Sequence, residues 1–165
     1  MCDTPLKEPS MLENCKSAKE RWGGVSEIID RWLEERQQML VQYCDLSALE
    51  ATDANEALRG HKLRELCQIL VDYVSAGHFE IYDQLIKEGR EFEDEEALQE
   101  AGKLYAVVDE TTETLLDFND KYLETDDLGS LSDDLSRLGE SLETRFSAED
   151  RMISVLHTSH KDLVN

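Results

Sequence analysis

Basic residues are scarce in this 165-residue chain: 17 lysines and arginines stand against 38 aspartates and glutamates, a formal net charge of −21. That imbalance argues against direct binding to nucleic-acid backbone or anionic lipid, which are themselves polyanions. It leaves room for a basic protein partner, whose approach an acidic surface would steer. Long hydrophobic runs are also missing: no stretch could span a bilayer, and no N-terminal apolar core precedes a cleavage site. Cys2, Cys15, Cys44 and Cys67 are far apart, with no CxxC and no Cys/His clustering of zinc type. Cys44 and Cys67 fall on apolar helical faces and are expected to be small core residues. A reduced, cytoplasmic protein is expected.

Catalytic signatures are absent too. The chain has no P-loop, GxGxxG, nucleophile elbow or HExxH. No segment alternates with the period of a strand, and no repeat of solenoid length is visible.

What remains is helical periodicity, and its centre is 66–85, LCQILVDYVSAGHFEIYDQL. Leu66, Leu70, Tyr73, Val74, Gly77, Ile81 and Leu85 recur at three- and four-residue spacings and share a face. At 100° per residue, Asp72, Ser75 and Phe79 fall together on roughly the opposite side. A phenyl ring on an outward stripe calls for a partner. Gly77 is the one position where a kink would rotate Phe79 away from Asp72.

The rest of the chain organises around that segment. Residues 1–10 hold both prolines, Pro5 and Pro9, and read as a flexible tail before a single domain over 11–165. A short helix is expected over 11–22, ended by Gly23-Gly24, followed by a long one over 25–46. Residues 47–55 read as a polar linker, and 56–88 as the helix containing the central stretch. The acidic run 89–96 (GREFEDEE) reads as an extended, solvated connection. A helix over 97–123 carries Leu98, Ala101, Leu104, Tyr105, Val108, Leu115 and Tyr122, with Thr111 and Thr112 interrupting its face. Leu128, Leu131, Leu135, Leu138, Leu142, Phe146, Ile153 and Leu156 give the most regular seam. The expected fold is all-α: an antiparallel up-down four-helix bundle with a short extra N-terminal helix.

Such a bundle invites a metal reading, of hemerythrin or ferritin type. His78-Phe79 and the run from Arg145 to Asp150 faintly echo a His-Phe-x-x-Glu element, but Arg145 occupies the place of an imidazole ligand. A guanidinium stays protonated and cannot ligate a metal, so no metal, cofactor or catalysis is expected. Arg145 and Glu149, four residues apart, read instead as a structural ion pair bordering the core. With His78 and the Asp30-Arg31-Trp32 step they form a candidate polar network, with Arg31 among its members.

Three stretches, IIDRWLEERQQMLVQYCDL, LCQILVDYVSAGHFEIYDQL and LGESLETRFSAEDRMI, resemble in order and spacing the Rsd/AlgQ family of bacterial anti-sigma factors. The opening MLENCKSAKERWGGV is most similar to the pseudomonad AlgQ branch. The resemblance implies a helical bundle that binds the primary, sigma-70-type factor of RNA polymerase, mainly through region 4, the basic helix-turn-helix module that reads the −35 element. Occluding region 4 would shift transcription towards alternative sigma factors; in the AlgQ branch this implies control of alginate and other secreted products. Carried onto this chain, the implied contact residues are Asp72, Ser75 and Phe79, the stripe that helical phasing sets apart from the core. The protein is expected to be monomeric. The alternatives are the metal-binding bundle and a helical adaptor for another basic protein.

Overall fold

Helix α1 runs without a break over Lys7–Ala48, straight through Gly23-Gly24, so the separate N-terminal helix is not found. The computed structural model describes the backbone over 7–164 and side chains from 18 to 164. Each glycine costs about 1 kcal/mol against alanine in a helix interior. Tertiary contacts on either side of the pair oppose that cost: the Trp22 indole donates to the His157 carbonyl at 3.0 Å, and Ser26 Oγ meets His157 Nε2 at 2.8 Å. Both glycines face open space, so neither is required by packing. Because α1 begins at Lys7, the last four residues of the expected tail are helical, with Pro9 in the first turn, where its missing N–H is tolerated. Residues 1–6 lie outside the described residues.

After a single 3-10 turn at Asp53–Asn55, helix α2 covers Glu56–Ala76. It passes through a π-helical turn at Gly77–Ile81 into helix α3, Tyr82–Glu91. Helix α4 covers Glu95–Glu124, helix α5 Leu131–Leu156, and a 3-10 segment follows at Thr158–Leu163. The described residues contain no strand. The architecture is all-α, four long helical segments around one core in which Trp32, Met39, Leu66, Leu70, Leu85, Leu115, Leu138 and Leu142 are nearly or wholly out of solvent.

Three local expectations are corrected. The acidic connection shrinks to 92–94, because Gly89 lies inside α3 and is buried. A Cβ there would stand 2.7 Å from Leu156 Cδ2 and 2.8 Å from Leu98 Cδ2, so this glycine marks close helix packing instead of a chain reversal. The reversal falls at Glu93, with φ of 54°, and Asp94 then caps α4 by accepting from the Ala97 amide at 3.1 Å. Thr111 and Thr112 do not interrupt α4: both hydroxyls donate back to the Val108 carbonyl, at 2.7 and 3.0 Å. Cys44 is exposed; Cys67 alone of the two is buried, and burial pushes its thiol up to about 11.

Candidate functional site

The most charged feature of the interior is built on α5. Arg145 and Glu149 are one turn apart and have no solvent-accessible side-chain surface. An unpaired charge in that position would be prohibitively costly, so the surroundings must supply every partner. They do. Arg145 Nε donates to Glu149 at 3.1 Å, Nη1 reaches the Thr112 and Thr111 hydroxyls at 2.8 and 3.1 Å, and Nη2 donates to Tyr82 at 3.0 Å. Glu149 also accepts from Tyr73 at 2.6 Å, from Arg36 at 3.1 Å and from the Tyr82 hydroxyl. Burial first, then the Glu149 charge, pushes the Tyr73 and Tyr82 hydroxyls far above the ordinary phenol range, so both stay protonated as donors. His78 touches the edge of this network through Thr112 and Tyr105, each at 3.3 Å. Burial and the nearby Arg145 lower its proton affinity, favouring the neutral ring.

Arg145, Glu149 and His78 lie together, and the Arg145–Glu149 pair sits within the core instead of bordering it. Arg31 is not part of the network: it is exposed, and so is Asp30. The arginine that α1 contributes is Arg36. Its Nε donates to Tyr73 at 2.9 Å, its Nη1 to Asp150 at 2.6 Å, and its guanidinium lies 4.4 Å from the Phe146 ring centroid. A signal for Arg36 exists in the sequence: it stands four residues after Trp32, on the apolar face of α1, where a cation needs a buried partner.

The network fixes the outer face of α2. Trp32 stacks on Tyr73 at 4.6 Å between ring centroids, and its indole donates to the Tyr73 carbonyl at 3.1 Å. Gly77 opens the π turn beneath them, where a Cβ would come within 3.0 Å of the Tyr82 hydroxyl and 3.1 Å of Trp32. The helix widens there without breaking. Asp72 therefore remains exposed, Ser75 is half-buried, and Phe79 is 86% exposed, the highest value among the large apolar residues described. Among the described residues Asp72 accepts only from Gln68, at 3.1 Å, which leaves most of its acceptor capacity free.

A second buried polar cluster has no counterpart in the sequence reading. His157 Nδ1 lies 2.8 Å from both Glu88 oxygens, and Trp22 stacks on the imidazole at 4.2 Å. His160 Nε2 meets Asp94 at 2.8 Å. These contacts fasten the C-terminal end of α5 to α1, α3 and the start of α4. Among the described residues no group of three or more His, Cys, Asp or Glu side chains converges on a common point as a metal site would require. No helix among them is long and apolar enough to cross a membrane.

Comparison with known proteins places this arrangement. A family described as "Regulator of RNA polymerase sigma(70) subunit, Rsd/AlgQ" matches residues 11–157. The chain is 38% identical over 150 residues to the regulator of sigma D of Enterobacter sp. (strain 638), covering 88% of this chain and 89% of that protein. It is 34% identical over 157 residues to the regulator of sigma D of Salmonella newport (strain SL254), covering 92% and 95% respectively. The regulator of sigma D of Salmonella typhi matches at the same identity and coverage.

Proposed function

The chain belongs to the Rsd/AlgQ family of regulators of the sigma(70) subunit, and from that premise we propose that it acts by binding the primary sigma factor of RNA polymerase through region 4. The observation that carries this reading is the 86% exposure of Phe79 on a helix face whose other side is locked into the core. An isolated phenyl ring presented to water, flanked by the unfilled carboxylate of Asp72, is the anchor-plus-charge arrangement that a basic protein surface fits. The net charge of −21 speaks for the same partner, since a DNA-reading module is basic. Docking Asp72, Ser75 and Phe79 against region 4 occludes its promoter-binding surface and favours alternative sigma factors. The action is stoichiometric, by a cytoplasmic monomer without catalytic turnover.

The helical segments run in antiparallel, up-down order, with α2 and α3 as one rod. The paired contacts support this: Tyr43, Arg36 and Ser26 of α1 meet Leu135, Asp150 and His157 in turn. Likewise Glu100 and Lys121 of α4 meet Arg151 and Asp134 of α5. One domain starting near Met11, where the family match begins, carries the activity, and the residues before it add nothing to docking. Titration of the purified protein against the full-length primary sigma factor, and against one lacking region 4, tests the reading. Saturable one-to-one binding that vanishes without region 4 is expected; equal binding to both would sink the region 4 assignment.

A further inference from the structure

Arg59 of α2 is only 6% exposed, yet among the described residues its guanidinium makes no hydrogen bond or ion pair, and its Nε is shut off from solvent without an acceptor. A buried cation without a partner is costly and calls for an explanation. Arg59 lines a cavity of about 300 Å³ between the start of α2, at Thr52, Asp53 and Glu56, and the start of α5, at Asp127, Gly129 and Ser132. Two helix N-termini therefore flank the guanidinium, and neither is capped by a side chain. The cap residues are engaged elsewhere: Asn55 Nδ2 donates to the Glu50 carbonyl at 3.1 Å, and Ser130 Oγ accepts from Lys121 at 2.9 Å. The positive ends of α2 and α5 and an uncommitted guanidinium converge where a carboxylate would be held.

The rim of the cavity carries the opposite sign. Asp53, Glu56, Asp126 and Asp127 are all exposed there; Asp127 turns back to accept from the Gly129 amide at 2.9 Å, and the other three face the opening. On a protein of net charge −21 that ring opposes a multiply charged anion such as phosphate. A carboxylate that brings its own ammonium group escapes the penalty. Glu56, Asp126 and Leu128 also line an adjoining lobe of about 360 Å³, whose apolar wall is Ala57, Leu63 and Leu123 and whose edge holds the exposed Arg64. We propose that this cleft binds a small apolar α-amino acid as its zwitterion. The carboxylate sits on Arg59 between the two helix ends, the ammonium meets Glu56 and Asp126 where the lobes join, and the hydrocarbon side chain lies against Leu63 and Leu128. The combined space is of the size that small ligands occupy. This inference does not rest on the docking reading given above.

The test is calorimetric titration of the full chain, with melting temperatures, for the parent, Arg59→Met and Asp126→Asn. The probes are L-leucine, L-valine and L-phenylalanine, against 4-methylpentanoate, 3-methylbutylamine and inorganic phosphate. At least one of the amino acids should bind the parent saturably and raise its melting temperature, more tightly than the three single-charge-type controls. Arg59→Met should weaken that binding about tenfold or more, the loss expected for a charge-assisted hydrogen bond. Without ligand the same variant should melt at or above the parent temperature, because it removes an uncompensated buried cation. Asp126→Asn, at an exposed position, should move two probes in opposite directions, weakening the amino acid and tightening 4-methylpentanoate; a structural role alone would not do this. Amino-acid binding that Arg59→Met leaves unchanged, or no binding by any of the three at millimolar concentration, would overturn the site. Phosphate or 4-methylpentanoate binding the parent as tightly as the amino acids would overturn the zwitterion. A clear drop in the melting temperature of ligand-free Arg59→Met would show the guanidinium already compensated within the fold, and would overturn the premise.

Discussion

Tyr73 donates its hydroxyl hydrogen to Glu149 at 2.6 Å while its backbone carbonyl accepts from Trp32, so a single residue of α2 ties the buried carboxylate of α5 to α1. Asp72, next in sequence, points the other way, into solvent. The rigid inner face and the free outer face of α2 are consecutive residues of one helix, and the interior network thereby fixes the direction in which the residues proposed to dock point.

Breaking that network from one side should be severe. Arg145→Ala removes the fully buried cation of Glu149, leaving it only the part-buried contact of Arg36 and two tyrosine donors, and deprives two threonine hydroxyls of the donor they accept from. Removal of one member of a buried ion pair costs about 3–5 kcal/mol. Denaturant unfolding of Arg145→Ala should show a loss of that order. Tyr73→Phe, which removes one neutral donor to a carboxylate that keeps its other partners, should lose only about 1–3 kcal/mol. Equal losses for the two variants would contradict the central place given to Arg145.

Gly77→Ala should destabilise the protein although it improves intrinsic helix propensity by about 1 kcal/mol. The added methyl would meet Tyr82 and Trp32 at 3.0–3.1 Å, and both rings are held, Trp32 by the Tyr73 carbonyl and Tyr82 by Glu149 and Arg145. Overpacking of a fixed core site costs about 1–3 kcal/mol, so the net change in thermal melting should be a decrease. A rise in melting temperature would show that the rings yield.

Much of this was legible in the chain. The core face of α2, with Leu66, Leu70, Tyr73 and Val74 buried, follows from its spacing, and the outward stripe of Asp72 and Phe79 survives the π turn. Arg145 and Glu149 are recognisable as a pair because they stand four apart on the seam of α5. Arg31 misled because a charged residue directly beside a tryptophan points off its face, whereas Arg36, one turn after Trp32, shares that face. Gly23-Gly24 and Gly89 misled for another reason. Glycine is read as a helix stop when only local propensity is visible, whereas Gly89 answers to Leu98 and Leu156, residues distant in sequence. The His157–Glu88 contact joins positions on two different helices, and no local spacing announces it.

Acid should loosen the junction of α4 and α5 first. Burial opposes the charge on Asp134, but hydrogen bonds from Lys121, Tyr122 and Arg137 win and hold this carboxyl well below its ordinary 3.8. A depressed folded-state value means that the stabilisation is fully present above the unfolded value and is lost as pH falls below it towards the folded one. Stability of the parent should therefore decline below about pH 4 with a contribution from this site. Asp134→Asn should be less stable at pH 7 and should show a shallower decline in acid. Parallel stability curves for parent and variant between pH 7 and pH 3 would remove Asp134 from the account.

Phe79 and Asp72 allow stability and binding to be separated. Phe79 is 86% exposed, so truncation to alanine removes no core packing, and the melting temperature should stay within a degree or two of the parent. If the ring anchors the sigma factor, the same substitution should weaken binding by about 2 kcal/mol or more, roughly thirtyfold, with little dependence on salt. Asp72→Ala should behave differently. Its loss acts through charge, so the defect should be largest at low ionic strength and shrink as salt rises, provided the pair it makes stays on a wet rim. A defect that persists at moderate salt would instead place Asp72 in a desolvated pair at the centre of the contact. The informative failure is a Phe79→Ala protein that melts lower and binds normally, for that would mean the ring folds back onto the bundle and the docking face lies elsewhere.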